Sequence, residues 1–134
     1  MPTFREAIET RDLDAVEAML ADEVVFRSPV AFKPYAGKAI TSAILRAVVE
    51  VFEDFRYVRE IRDDGGADHA LVFEAKVDGL QLTGCDFLHY DAAGKIDDFM
   101  VMVRPLKGAQ ALAERMGERF EAIQAAAAKT PENR

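Results

Sequence analysis

The sequence predicts an α+β domain in which a curved antiparallel sheet wraps around helices. Apolar residues recur at helical spacing up to Phe52, alternate from Tyr57 onward, and return to helical spacing after Pro105. Helices followed by a run of consecutive strands are typical of this class. The 134 residues suit a single domain. We predict its core over residues 4–120 and a flexible tail over 126–134.

The amino-acid composition and net charge limit the classes of binding partner that we expect. Half of the residues are hydrophobic and 31% are charged, an ordinary globular balance. No apolar run approaches the roughly 20 residues of a bilayer span, and the amino end lacks the features of a secretory signal, so no membrane contact and a cytoplasmic location are expected. The net charge of −7 predicts no nucleic-acid partner. The single cysteine excludes an internal disulfide and a cysteine-rich metal site, and we expect neither metal nor cofactor.

The first elements are predicted to be a pair of short helices. Thr3 and Glu6 have the spacing of a capping box, which begins a helix near Phe4. Apolar residues then follow at intervals of three and four: Phe4, Ala7, Ile8, Leu13, Val16, Met19 and Leu20. This pattern predicts two helices that form a hairpin.

A short strand and a long helix come next. The segment ADEVVFRSPV has strand character, and Pro29 must end the strand or confine it to a sheet edge because proline has no amide to donate. Val24, Phe26 and Ser28 share one face of it. The stretch from Lys38 to Phe52 is predicted to be a helix, since its apolar residues lie on one side: Ile40, Ile44, Ala47, Val48, Val51 and Phe52.

Alternation from Tyr57 onward predicts a meander of antiparallel strands. The turn DDGGAD separates residues 57–62 from 69–77, and the pair Asp78-Gly79 is typical of a two-residue hairpin. A strand then runs to Tyr90, and DAAGK leads into a strand over 96–103. Alternation places Asp97, Phe99, Val101 and Val103 on one face of this last strand, and Ile96, Asp98, Met100 and Met102 on the other. Both faces are largely apolar, so both must be covered. A final amphipathic helix follows Pro105.

One carboxylate interrupts the apolar face of the strand before DAAGK. Counting by twos places Asp86 in a row with Leu82 and Leu88. A sheet that bends around a long helix leaves a gap where a ligand pocket forms. We expect Asp86 and Ser28 to be catalytic residues there, with a ligand-binding wall made of Phe4, Val24, Phe26, Phe52, Leu71, Phe73, Ala75, Leu82, Leu88, Phe99, Val101 and Val103.

A carboxyl in such a row has altered acidity. Burial penalises the charged form and raises the pKa of an aspartate. A neutral Asp86 donates a hydrogen bond to a carbonyl or enolate oxygen, whereas an ionised Asp86 acts as a base. A structural alternative is that Ser28, Tyr90 or a buried water satisfies Asp86, which then only sets strand register.

Three segments carry a family resemblance. DLDAVEAMLADEVVFRSPV, PYAGKAI and CDFLHYDAAGKI, in this order, resemble the nuclear transport factor 2-like superfamily and its SnoaL-like domains, over roughly Phe4 to Met116. The resemblance implies a cone-shaped fold, also called cystatin-like, in which the curved antiparallel sheet wraps a long helix. It also implies a homodimer formed through the outer face of the sheet, which accounts for the second apolar face of residues 96–103.

Within that superfamily the chain is also similar to ketosteroid isomerase. Asp86 falls where the isomerase pattern has a protonated aspartate that donates to an oxyanion, but Ser28 stands at the position of the catalytic base and Phe4 at that of the oxyanion-binding tyrosine. A serine without a base does not remove a proton from carbon at neutral pH, so steroid isomerisation is not predicted. We expect a cofactor-independent isomerase, cyclase or dehydratase that uses Asp86 on a small hydrophobic carbonyl compound. The alternative is a noncatalytic ligand-binding or dimeric protein-association module.

Overall fold

The computed structural model describes residues 2–129 and has the predicted α+β architecture. The helices are α1 (Phe4–Glu9), α2 (Leu13–Met19), α3 (Lys38–Val51) and α4 (Leu106–Lys129). The strands are β1 (Leu20–Arg27), β2 (Tyr35–Ala36), β3 (Glu53–Arg62), β4 (Asp68–Val77), β5 (Leu80–Tyr90) and β6 (Ile96–Arg104). None of the helices in this range is both long and apolar enough to cross a membrane.

Within residues 2–129 the strands form one sheet of six, in the order β2-β1-β6-β5-β4-β3. The predicted meander is confirmed, because β3 to β6 pair antiparallel with their chain neighbours. The first strand was predicted without a partner. It pairs in parallel with β6, which the long intervening chain makes possible, and β2 adds to its other edge.

Local signals set the helix ends well. The capping box is confirmed, since the Thr3 hydroxyl accepts from the Glu6 amide at 3.1 Å and the Glu6 carboxylate accepts from the Thr3 amide at 2.9 Å. The long helix ends at Val51, where Phe52 turns to an extended conformation. Strand β3 therefore begins at Glu53, four residues earlier than predicted.

The last strand differs from simple alternation at its start. Tyr90 faces Ile96 while His89 faces Asp98, so Asp97 is an extra residue in the ladder. Such a bulge reverses the side on which the preceding residue points. Ile96 is fully buried in the core, and the prediction that it shares the outer face with Asp98, Met100 and Met102 is wrong.

The carboxyl end also differs from expectation. Helix α4 continues through four consecutive alanines to Lys129, so residues 126–129 of the predicted flexible tail are helical. Alanine has the strongest helix propensity, which offsets the lack of burial at this end. The remainder of the predicted tail, 130–134, lies outside the described residues.

The core lies between the concave face of the sheet and the four helices. Gly84 matters to this packing because a Cβ there would lie 2.2 Å from Cζ of Phe73 on the neighbouring strand. The Phe73 ring therefore lies directly over Gly84. Phe52, Phe55 and Tyr57 pack around that ring, with centroid distances of 4.9 to 6.4 Å. This aromatic cluster forms one wall of an internal cavity.

Candidate active site

A cavity of about 250 Å³ lies between the concave sheet face and the helices. The helices and the turn after α1 contribute Phe4, Ile8, Arg11, Ile44, Leu45, Val48, Val49, Leu112, Ala113, Met116, Gly117, Phe120 and Ile123. The strands and the loop after β1 contribute Phe26, Ser28, Pro29, Val30, Tyr35, Phe52, Phe55, Tyr57, Phe73, Asp86, Phe99 and Val101. Arg11 and Asp86 are the charged members of this lining.

Both predicted catalytic residues lie at this cavity. The structure also places six residues of the predicted ligand-binding wall there: Phe4, Phe26, Phe52, Phe73, Phe99 and Val101. Phe99 joins two sides of the wall, since its ring meets Phe4 at 5.5 Å and Phe26 at 5.3 Å between centroids. The aromatic residues of the concave face are thus brought together around one space.

The other predicted wall residues do not line the cavity. These are Val24, Leu71, Ala75, Leu82, Leu88 and Val103. All of them belong to the packed core or lie against it, because the helices cover parts of the concave face. Helix α4 packs on β4, β5 and β6, and its Gly108 lies so close to Leu82 that a Cβ would approach the Leu82 Cβ to 2.9 Å. Alternation along a strand predicts which side of the sheet a residue occupies, but it does not predict which part of that side a helix covers.

Sequence reasoning missed the helical half of the lining and the aromatic side chains of β3. The helical period did place Leu112, Met116, Phe120 and Ile123 on one face of α4, which was a usable signal. Phe55 and Tyr57 are two positions apart in β3 and therefore point to the same side of the sheet. This spacing in the sequence could have predicted that both line the cavity.

Among the described residues, the Asp86 carboxyl has one hydrogen-bond partner, which comes from β3. The Tyr57 hydroxyl donates to Oδ2 of Asp86 at 2.9 Å, and Asp86 is only 7% exposed. The Tyr57 ring is fixed by an edge-to-face contact with Phe55 at 5.0 Å between centroids. Neither Ser28 nor Tyr90, the two side chains predicted as structural partners of Asp86, bonds to it. Ser28 instead accepts from the Val30 amide at 3.1 Å, and the Tyr90 hydroxyl lies 3.2 Å from Nδ1 of His69.

Burial has the largest effect on the pKa values of Asp86 and Tyr57. Loss of hydration raises the pKa of Asp86 from 3.8 to about 7, and the hydrogen bond from Tyr57 opposes part of that rise. The pKa of Tyr57 is raised well above its usual value of 10, first by burial and then by the nearby Asp86 charge. Tyr57 therefore remains a neutral donor at physiological pH, while Asp86 changes its charge there.

A cation also lies near this pair. The Arg5 guanidinium lies 5.8 Å from the Tyr57 ring centroid. It is bound at 3.1 Å by Glu9 and at 3.2 Å by Glu60, whose other oxygen meets the buried His69 at 2.7 Å. Two carboxylates thus balance the charge of Arg5. The pKa of Asp86 is set by burial and Tyr57 rather than by a neighbouring cation.

Proton transfer is the chemistry that these residues can perform. A carboxyl whose pKa is close to neutral is present in both forms, which suits general acid–base catalysis. Within residues 2–129, no group of three or more His, Cys, Asp or Glu side chains is arranged to hold a metal ion. Most of the remaining wall is apolar, and polar interactions are stronger in such surroundings than in water.

Comparisons with known proteins agree with this architecture. The sequence matches the SnoaL-like domain family over residues 3–99. A crystal structure of a steroid delta-isomerase from Pseudomonas aeruginosa is 46% identical, with 90% of this chain and 88% of that chain covered and a TM-score of 0.83. An uncharacterised bacterial protein with a cystatin-like fold from Silicibacter pomeroyi DSS-3 is 33% identical, covering 92% and 90%, with a TM-score of 0.81.

More distant matches share the fold alone. The epoxide hydrolase/cyclase-like enzyme SalBIII, which acts in pyran ring formation in salinomycin, is 16% identical, covering 78% of this chain and 87% of that chain with a TM-score of 0.63. No curated protein matches the sequence. The family match and the two nearer structures lead to one conclusion: the chain belongs to the SnoaL-like domain family and has the nuclear transport factor 2-like fold.

Proposed function

We propose that the protein is a cofactor-independent isomerase or cyclase-like enzyme that moves a proton on a small hydrophobic carbonyl compound. Asp86 is the acid and base of this reaction. One observation carries the proposal: a single buried carboxyl with a pKa of about 7 lies at an apolar cavity and is held by one neutral donor. Polar groups placed in an apolar pocket and having shifted pKa values are typical of active sites.

The acidity of Asp86 favours the acid–base role over the role of a permanent donor. A group that only donates a hydrogen bond must remain protonated at working pH, which needs a pKa well above 7. The Tyr57 hydroxyl donates to Asp86 and so stabilises the ionised form. The Tyr57 hydroxyl binds Oδ2 of Asp86, so Oδ1 of Asp86 is left to contact the substrate.

A proton cycle follows from this arrangement. Ionised Asp86 takes a proton from the carbon next to the carbonyl group, and the electron pair of that C–H bond moves toward the carbonyl oxygen. Neutral Asp86 is then a weaker acceptor, so the Tyr57 hydroxyl becomes free to stabilise the enolate oxygen. In a substrate with a C=C bond next to that carbon, the enolate is a dienolate whose charge extends to the far end of the C=C bond. Asp86 returns the proton to that far carbon, the C=C bond moves into conjugation with the carbonyl group, and the isomerisation needs no other reactant.

Ser28 has a supporting role in this proposal. Its oxygen accepts from the Val30 amide at 3.1 Å, so its own hydroxyl proton remains to be donated. Ser28 lies at the cavity and can donate that proton to a substrate oxygen. Phe4 lies at the same cavity and supplies only apolar surface.

The relatives and the cavity volume suggest which substrates to test. The similarity to a steroid delta-isomerase supports carbonyl compounds with an acidic neighbouring carbon. A volume of about 250 Å³ is just below the range of about 300 to 1,000 Å³ that is usual for small-molecule sites. We therefore favour compact ligands of two or three rings, or short terpenoids, as substrates. A cytoplasmic location and the absence of nucleic-acid partners remain predictions.

Proton exchange tests the proposal without knowledge of the natural substrate. β-Tetralone is a bicyclic ketone whose carbon-bound protons next to the carbonyl exchange slowly with D₂O. We expect the protein to accelerate this exchange, measured by proton NMR, and Asp86→Asn to remove at least about 100-fold of the acceleration, the usual contribution of a general base. Asp64→Asn, in the exposed turn after β3, is the matched control. No acceleration by the native protein would leave the noncatalytic alternative, and equal acceleration by the native protein and Asp86→Asn would show that Asp86 is not the base.

A further inference from the structure

Arg11 is the one cation in the lining of the cavity, and it lies in the turn between α1 and α2. Its side chain is exposed, and no carboxylate of residues 2–129 forms an ion pair with it. Most other arginines of this range have an acidic partner. The two charges of the lining are thus arranged differently: Asp86 is buried, and Arg11 meets the solvent.

The backbone at Arg11 is in a conformation that arginine rarely adopts. The Arg11 amide donates to the Ile8 carbonyl at 3.0 Å and the Asp12 amide to the Ala7 carbonyl at 2.8 Å, the two bonds of a Schellman motif at the end of α1. Arg11 itself has a φ of 57°, in the left-handed region. Glycine or asparagine usually occupies this position because a larger side chain is strained there.

Arginine is an exception even within this chain. Among residues 2–129, the other non-glycine residues with positive φ are Asp54 and Asp78. Aspartate is enriched in the left-handed region, whereas arginine is not. Strained residues that a fold retains beside a cavity are often those that its function requires. The backbone strain at Arg11 is therefore a second observation, beside its position in the cavity lining, that indicates a function for this side chain.

We propose that Arg11 binds a carboxylate group of the ligand at the entrance of the cavity. This inference rests on the proposed function and narrows its substrate class to compact apolar carbonyl compounds that carry a carboxylate at the end remote from the reacting carbonyl. The guanidinium group offers parallel donors that match a carboxylate, and its stem can lie along the apolar wall. The net charge of −7 repels an anionic ligand, and a cation at the entrance of the cavity offsets this repulsion locally.

A matched pair of probes isolates the carboxylate. We use 6-hydroxy-2-naphthoic acid and its methyl ester, whose naphthol oxygen is offered to Asp86 and Tyr57. Binding is followed by probe fluorescence near neutral pH, where the acid is ionised. A hydrogen bond to a charged group predicts that the native protein binds the acid about tenfold more tightly than the ester. This preference should fall as salt is added, because exposed charges are screened.

Substitutions at Arg11 separate binding from folding. Arg11→Asn should abolish the preference for the acid and leave ester binding unchanged, while Arg11→Lys keeps part of the preference. Asparagine suits the left-handed backbone, so Arg11→Asn should also unfold at a higher temperature than the native protein. A merely structural arginine would instead lower that temperature when replaced. Lys107→Asn, on the exposed start of α4, controls for the change in net charge and should keep the preference.

The outcomes distinguish this inference from the proposed function. If the native protein binds acid and ester equally, or Arg11→Asn keeps the preference, the carboxylate site is wrong even when β-tetralone exchange is intact. If the preference is present but exchange is absent, the carboxylate site stands and the acid–base role of Asp86 fails. If neither probe binds to the native protein, the carboxylate site is overturned, and β-tetralone exchange alone decides the proposed function.

Discussion

At the scale of single residues, the partner of Asp86 is the feature that matters most for function. Alternation along β5 placed Asp86 among inward apolar residues, and the structure confirms its burial. The identity of its partner was out of reach, because Tyr57 lies 29 positions earlier along the chain and meets Asp86 only when three strands are aligned. A local pattern reports which side of a strand a residue occupies and says nothing of its neighbours across the sheet.

Removal of the tyrosine hydroxyl should shift the pH profile of proton exchange. The Tyr57 bond lowers the pKa of Asp86 against the effect of burial. In Tyr57→Phe that pKa rises, so the fraction of ionised base falls and the rise in exchange rate moves to higher pH. The measurement is the pH dependence of β-tetralone exchange. Tyr35→Phe is the control, since Tyr35 lies at the same cavity and packs on Phe120 without a bond to Asp86. An unshifted profile in Tyr57→Phe would show that the tyrosine does not tune the base.

Burial of Asp86 should also leave a mark on stability. Its pKa is 3.8 in the unfolded chain and about 7 in the folded protein, so the folded state binds more protons between these values. Stability therefore falls as pH rises through this window, by up to about 4 kcal/mol for a shift of this size. Asp86→Asn lacks the titrating group and keeps an oxygen for Tyr57.

Urea unfolding at several pH values checks this effect. The free energy of unfolding of the native protein, minus that of Asp86→Asn, should decrease from about pH 4 to about pH 8. The difference removes contributions from other groups, such as Glu17 and Glu60, whose pKa values are lowered by hydrogen bonds to Arg46 and His69. A constant difference across the range is incompatible with a buried, titrating Asp86.

At the scale of elements, the sequence predicted helices and strands well because their signals are local. The capping box of α1, the apolar side of α3 and the Asp78-Gly79 turn each act within a few residues. The bulge at Asp97 and the parallel pairing of β1 with β6 were missed, since both depend on partners far along the chain. Six of the twelve predicted wall residues line the cavity. Phe26, Phe73 and Phe99 followed strand alternation, whereas the helical side of the wall required knowledge of how helices cross the sheet.

Two glycines should respond in opposite ways to the same substitution. Gly84→Ala places a methyl group against the Phe73 ring and should destabilise the protein by about 1 to 3 kcal/mol, as overpacking does. Gly117→Ala, within α4, has open space around the new methyl group and should stabilise by about 0.5 to 1 kcal/mol. Chemical unfolding measures both. If Gly84→Ala is neutral, the close packing of Phe73 on β5 is wrong.

At the scale of the whole molecule, the outer face of the sheet carries two rows of apolar side chains. Ile61, Ala70, Phe87 and Met100 are opposite one another across β3 to β6, and Val72, Cys85 and Met102 form the next row. We call these seven residues the outer patch. Ile61 is 56% and Met102 54% exposed, which is costly for large apolar side chains in water. We propose that a second copy of the chain covers the outer patch in a homodimer.

A charge in the outer patch should separate the dimer. Met102→Glu places a carboxylate opposite its symmetry copy or against apolar surface, so the variant should be a folded monomer at micromolar concentration. Sedimentation velocity gives the mass, and circular dichroism verifies folding. Leu106→Glu is the matched control, because Leu106 is 73% exposed at the start of α4 and outside the patch. A native protein that sediments as a monomer at the same concentration argues against the dimer.

The central feature of this protein is a carboxyl that changes its charge inside an apolar cavity near neutral pH. Carbon-13 NMR of aspartate-labelled protein measures this directly, with the Asp86 signal assigned by its loss in Asp86→Asn. We predict a titration midpoint near 7 for that signal, and a higher midpoint in Tyr57→Phe. A midpoint below about 5, the range of solvated aspartates, would contradict the burial and the acid–base role together.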